Sequence, residues 1–170
     1  FQIKPAAQPG AHASLDNPNN EYDNDTVCNR LKFLLDSHGW SSAQHKYYQL
    51  EQLRKILTHA RKNVPYYRVL FHQIGFHPND IQKLSDIRHL PLLTKDIIRD
   101  NPTSFVSDTI DPKEAVYMTT GGSTGNPLKI IMDRFVRSKT HANTHYYMQI
   151  AGFKVGELPH IRLHGNRVPS

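Results

Sequence analysis

Thr119-Thr120-Gly121-Gly122-Ser123-Thr124-Gly125-Asn126-Pro127-Leu128-Lys129 is the stretch on which the reading of this chain turns. The seven positions from Thr119 to Gly125 are all glycine or hydroxyl residues. Val116-Tyr117-Met118 leads in and Ile130-Ile131-Met132 leads out. Both flanks are apolar and favour extended backbone, so the spacing predicts a tight loop joining two short strands. Glycines let backbone N–H groups converge on one point with no Cβ in the way. Convergent N–H groups form an anion nest, and hydroxyls add donors that rotate to fit. This is chemistry suited to a phosphate. No Lys-Ser or Lys-Thr follows the last glycine, which sets the loop apart from a Walker loop.

Working outward, the 170 residues suffice for one ordinary domain or part of a larger one. Hydrophobic content of 38% and charged content of 21% fit a folded chain. The formal charge of +6 and a pI near 9.5 favour anionic partners. The basic residues are scattered, so a dedicated nucleic-acid patch is not expected. Cys28 is the one cysteine and cannot form an internal disulfide, which fits a reducing, cytoplasmic setting. No apolar run approaches ~18 residues, so no membrane span is expected. The polar, proline-bearing N-terminus shows no signal peptide. A start at Phe1 rather than methionine reads as a fragment or a processed product.

Three segments are expected. Residues 1–24 hold Pro5, Pro9, Gly10 and Pro18 with few large apolar groups, and read as a flexible leader. Residues 25–114 read as helical. Asp25 or Thr26 caps a first helix whose Val27, Leu31, Leu34 and Leu35 share a face, with Gly39 just past its end. Ser41 and Ser42 cap a longer helix through about Asn63, with Leu50, Leu53, Ile56, Leu57, Ala60 and Val64 inward. Pro65 stops it, Tyr66 to Phe71 begins another, and Gly75 ends that one. Tyr66 and Tyr67 read as core or interface aromatics and not as ligand contacts. His77 to Asp80 is a turn, Ser85 to Arg88 a single helical turn, and Thr94 caps a short helix that ends at Asn101-Pro102. Residues 115–170 change to strand, loop, strand, then a helix from Asp133 through Ala151 closed by Gly152, then a strand over Leu158 to Leu163.

The order of residues in the loop narrows the reading. Thr120 to Pro127 resembles the phosphate-binding loop of adenylate-forming enzymes, which runs Thr-Ser-Gly-Ser/Thr-Thr-Gly-x-Pro-Lys. His59-Ala60-Arg61-Lys62-Asn63-Val64-Pro65-Tyr66-Tyr67-Arg68 is similar to a second segment, and Leu84 through Arg99 to a third. Both belong to the branch containing phenylacetate–CoA ligases and the CapK-like proteins. Gly152 to Glu157 resembles the turn after the loop's helix. The resemblance covers about residues 40 to 165. It implies an α/β fold: a helical N-terminal lobe plus the start of the large sheet domain, incomplete and truncated here. It implies that Thr119, Thr120, Gly121, Gly122, Ser123, Thr124 and Gly125 hold the phosphates of ATP with Mg2+. A carboxylate would attack the α-phosphate and coenzyme A would take the acyl group. Two departures stand out: Gly121 replaces a common serine, and Leu128 replaces the family's lysine. Lys129 follows one place later, and successive strand residues face opposite ways.

The family's ribose-binding acid and distal catalytic lysine have no counterpart by Ser170, so no catalytic residue is assigned. The alternative reading is an inactive remnant that binds nucleotide weakly or serves as a packing module. A basic nucleic-acid module ranks below both. His141 with His145, and His160 with His164, are pairs four residues apart that together make a four-His metal site conceivable. Neither pair contains a glutamate, and exposed or packing histidines are the expected outcome. His164-Gly165 is a further candidate for the edge of a ligand crevice.

Overall fold

The computed structural model describes residues 23–120 and 127–152. These form five α-helices, three short 3-10 helices and one two-stranded antiparallel sheet. The chain divides into two compact units. One holds residues 36–133; the other combines the segments before Asp36 and after Asp133.

In the unit spanning 36–133, helix α2 (Ser42–Asn63) begins at Ser41. The Ser41 hydroxyl accepts from the Gln44 N–H, and the Gln44 side chain accepts from the Ser41 N–H at 2.9 Å. This reciprocal cap satisfies two backbone donors that a helix start otherwise leaves open. Val64 closes α2 and opens α3 (Pro65–Gln73), with Pro65 in the first turn, where its missing N–H costs nothing. Gly75 follows at φ +65°, a conformation that favours glycine.

Leu57 of α2, Phe71 of α3 and Ile81 form the core, with Leu50, Leu53, Tyr67, Leu70, Phe76 and Leu90 packed around them. Phe71 lies edge-on to Phe76 at 4.8 Å. Arg54 Nε donates to the Ile81 carbonyl at 2.8 Å, which fixes the chain beyond the 3-10 turn Pro78–Asp80 against α2. Ile56, expected inward, is 63% exposed. It lies one residue from Leu57 and so a quarter-turn round the helix from the Leu50, Leu53 and Leu57 stripe.

Asp86, in the 3-10 helix Leu84–His89, is largely buried, and one oxygen accepts from the N–H groups of Gln82 and Lys83 at 2.8 and 2.9 Å. Bonding from the Lys83 and Gln82 amides holds its carboxyl below the usual range, against partial desolvation. Helix α4 (Lys95–Asp100) starts at Thr94, whose hydroxyl accepts from the Ile97 N–H. The 3-10 helix Pro102–Phe105 returns Phe105 to α3, where it stacks on Tyr66 at 4.2 Å. Tyr66 and Tyr67 are thus packing aromatics. Burial, with Tyr66 alongside, pushes the Tyr67 hydroxyl up, so it stays protonated.

In the other unit, α1 (Asn24–Ser37) is capped by Asp23, whose carboxylate accepts from the Thr26 N–H. The expected caps, Asp25 and Thr26, lie one and two residues inside the helix region. The chain turns helical earlier because Asp23 already reaches the amide three residues on. Val27 is fully buried, Leu31 and Leu34 are half-buried, and Leu35 is exposed. Helix α5 (Arg134–Ile150) runs alongside: the Asp23 N–H donates to Ser138 Oγ at 2.9 Å, and Arg30 Nε to Asn143 Oδ1 at 3.4 Å. Gly152, at φ +87°, follows α5. The strand expected over Leu158 to Leu163 lies outside the described residues.

Candidate functional site: the glycine-rich hairpin

The strands that flank the loop form as expected. β1 (Val116–Thr119) pairs antiparallel with β2 (Lys129–Met132), Val116 opposite Met132 and Thr119 opposite Lys129. The register decides which side chains share a face. Directly opposed residues project from the same side of an antiparallel pair, so Thr119 and Lys129 emerge together. Both are exposed. Lys129 therefore brings a cation beside the first hydroxyl of the loop, on the face opposite to that of Leu128.

One step beyond the strands, Thr120 and Leu128 close the loop at its base. The Thr120 N–H donates to the Leu128 carbonyl at 2.9 Å, and the Leu128 N–H donates to Thr120 Oγ1 at 2.9 Å. The sequence marks Thr120 only as a hydroxyl donor to phosphate. The structure gives its oxygen to the backbone and leaves its O–H as the group able to donate outward. Gly121, Gly122, Ser123, Thr124 and Gly125 lie outside the described residues; of the seven expected ligand residues, Thr119 and Thr120 are placed.

The hairpin is weakly covered. Tyr117 is 72% exposed, and Met118 and Ile130 are also exposed. Val116 and Met132, farthest from the loop, are half-buried. The stem thus becomes more exposed from Val116 and Met132 towards Thr119 and Lys129.

The histidine pair on α5 comes together. His141 Nε2 lies 2.7 Å from His145 Nε2, and the rings meet edge-on at 4.3 Å. At that distance one ring nitrogen donates and the other accepts. His160 and His164, and with them the crevice reading of His164-Gly165, lie outside the described residues. Among the described residues no group of three or more His, Cys, Asp or Glu could hold a metal ion. Cys28, the one cysteine, is partly buried on α1. No helix among the described residues is long and apolar enough to cross a membrane.

Comparison with known proteins finds similarity over part of the chain. Phenylacetate-coenzyme A ligase of Escherichia coli (strain K12) is 42% identical over 46% of this chain. Its counterparts in Aromatoleum evansii and Pseudomonas putida are 37% and 38% identical over similar stretches. Over that stretch the chain is phenylacetate-coenzyme A ligase-like. The match covers 18% of each relative's own length. No family model matches the chain. For a phenylacetate-coenzyme A ligase-like chain, the stem-closing role of Thr120 is a feature that motif reading missed. Its signal in the sequence was its position, immediately after a strand and paired across the loop with Leu128.

Proposed function

We propose that this chain contributes the nucleotide-phosphate loop of an acyl-adenylating ligase, akin to phenylacetate–CoA ligases and the CapK-like proteins. The observation that carries the reading is the similarity to three phenylacetate-coenzyme A ligases, joined to a glycine- and hydroxyl-rich loop on a closed hairpin stem. On this reading residues 25–114 are a helical region, and residues 115–170 belong to the AMP-binding α/β domain. Coenzyme A as acceptor and a cytoplasmic location belong to the same proposal.

The reaction divides into two displacements. A carboxylate oxygen attacks the α-phosphorus of ATP, the bond from that phosphorus to the bridging oxygen breaks, and pyrophosphate leaves with the electron pair. The coenzyme A thiolate then attacks the acyl carbon and AMP leaves. The loop must hold the charge that gathers on pyrophosphate. Its backbone N–H groups and the hydroxyls of Thr119, Thr120, Ser123 and Thr124 are suited to that task. Each bond to a charged oxygen contributes roughly 1.5–3 kcal/mol. Lys129, beside Thr119, adds a positive charge at the loop's entrance. Mg2+ would be carried mainly by the phosphates themselves, as this ion keeps much of its water and takes few protein ligands.

The test is ATP binding by the chain and by Gly122→Val. A valine there places a branched side chain where phosphate oxygens must approach the backbone. Isothermal titration should show ATP affinity abolished while the thermal unfolding curve is unchanged. An unaltered affinity would sink the assignment.

A further inference from the structure

From Gln52 through Asn79 the chain carries five Lys or Arg residues and no Asp or Glu. The fold gathers part of this charge into one place. Arg61 and Lys62 from the last turns of α2, Arg68 from α3, and His77 from the turn beyond line a single open cleft of about 560 Å³, together with Thr58 and Asn79. Residues 58, 61 and 62 are three and four apart, so they share one side of α2. The bend at Val64–Pro65 swings Arg68 round to meet them.

The cations differ in how firmly they are held. Arg68 Nη2 donates to Asp108 Oδ2 at 2.6 Å and to the Lys62 carbonyl at 2.9 Å. Asp108 is itself anchored, its N–H donating to the Asn63 carbonyl at 2.7 Å. Both Arg68 bonds use one nitrogen, so among the described residues Nε and Nη1 of this planar fork are left for another acceptor. Arg61 and Lys62 take part in no salt bridge among the described residues. The neighbouring carboxylates are Asp108, matched by Arg68, and Asp80, which accepts from the His77 N–H at 2.7 Å. Arg61 and Lys62 therefore add two positive charges to this cleft with no carboxylate assigned to them.

We propose that the cleft at the α2–α3 bend binds the phosphate-bearing end of a small ligand. Arg68 is the fixed contact, Arg61 and Lys62 are the adaptable ones, and Thr58 and Asn79 are neutral donors. A phosphate matches the arginine fork in geometry and charge. The volume is that of a small-molecule site, about 300–1,000 Å³. The charge converges on one depression instead of tracking along a surface as a nucleic-acid footprint does. The site is separate in its residues from the glycine-rich loop and does not depend on the function proposed for that loop.

The experiment uses the whole chain carrying Gly122→Val, so that phosphate binding at the loop does not mask this site. Inorganic pyrophosphate is titrated calorimetrically at low salt. Saturable binding is expected, weakening as salt rises, since exposed charges are screened. Arg61→Gln together with Lys62→Gln should weaken it about tenfold. Both side chains are exposed, so the circular dichroism spectrum should not change. Competition identifies the source: displacement by coenzyme A assigns its phosphates, and displacement by ATP alone assigns a nucleoside triphosphate. Absence of pyrophosphate binding, or equal affinity in the double variant, would overturn the proposal. So would stronger competition by a duplex oligonucleotide, which would make the partner a nucleic acid.

Discussion

The α2–α3 bend and the β1–β2 hairpin are built from similarly apolar segments, yet they hide them very differently. At the bend, Leu57, Phe71 and Ile81 are almost wholly removed from water. On the hairpin, Tyr117, Met118 and Ile130 stay exposed. The bend draws on three segments that converge: two helices and the chain after the Pro78–Asp80 turn. Among the described residues the hairpin has a single pairing, and its strands are joined by ladder bonds and by the Thr120–Leu128 closure. Among the described residues, apolar burial is therefore concentrated at the bend.

This contrast is open to test. The largest effect should follow Phe71→Ala. The ring is 1% exposed and its loss opens a cavity among Leu57, Ile81 and Phe76, so a destabilisation of about 3–5 kcal/mol is expected in denaturant unfolding. A loss below ~1 kcal/mol would place the stability of this unit elsewhere. Next is Thr120→Val, which keeps the shape but removes the oxygen that receives the Leu128 N–H. Calorimetry should show ATP affinity lower by about tenfold, with little change in global stability, because the stem loses only ~1 kcal/mol of bonding. Equal losses of stability and affinity would mean that the hairpin and core fold as one element.

Asp86 supplies a pH test confined to the bend. Its folded carboxyl titrates lower than the unfolded one, so its contribution is fully present above pH ~4 and is lost as pH falls through the folded value. Asp86→Asn should lower the melting temperature at neutral pH and flatten its decline below pH ~4. Parallel declines in the two proteins would remove Asp86 from the acid response. The smallest effect belongs to the hairpin. Tyr117→Ala, at a 72% exposed position, should change stability by no more than ~0.5 kcal/mol. A loss comparable to that of Phe71→Ala would erase the distinction between the two regions.

The sequence by itself determined most of the described elements and several of their ends. The caps at Ser41 and Thr94, the break at Val64–Pro65, the left-handed glycine at Gly75 and the strands on either side of the loop all follow from local rules. Such features depend on atoms within about one turn of helix or one pair of strands. The ordered motifs also identified the relation to phenylacetate–CoA ligases before any packing was known. The proposed ligand groups of the loop were legible as residue types, and Thr119 is exposed at the end of β1.

Only the tertiary structure decided what residues far apart do together. Arg68 and Asp108 are separated by 40 positions, and nothing periodic links them. Phe105 reaches Tyr66 because the 3-10 helices return the chain to α3. Ile56 looks apolar enough to be buried, but the core formed on the neighbouring stripe of α2. The cationic cleft depends on the angle of one helix bend and on where the chain beyond Gly75 comes back. Scattered charges in sequence became a concentrated site in space because folding sets distances that chain order does not encode.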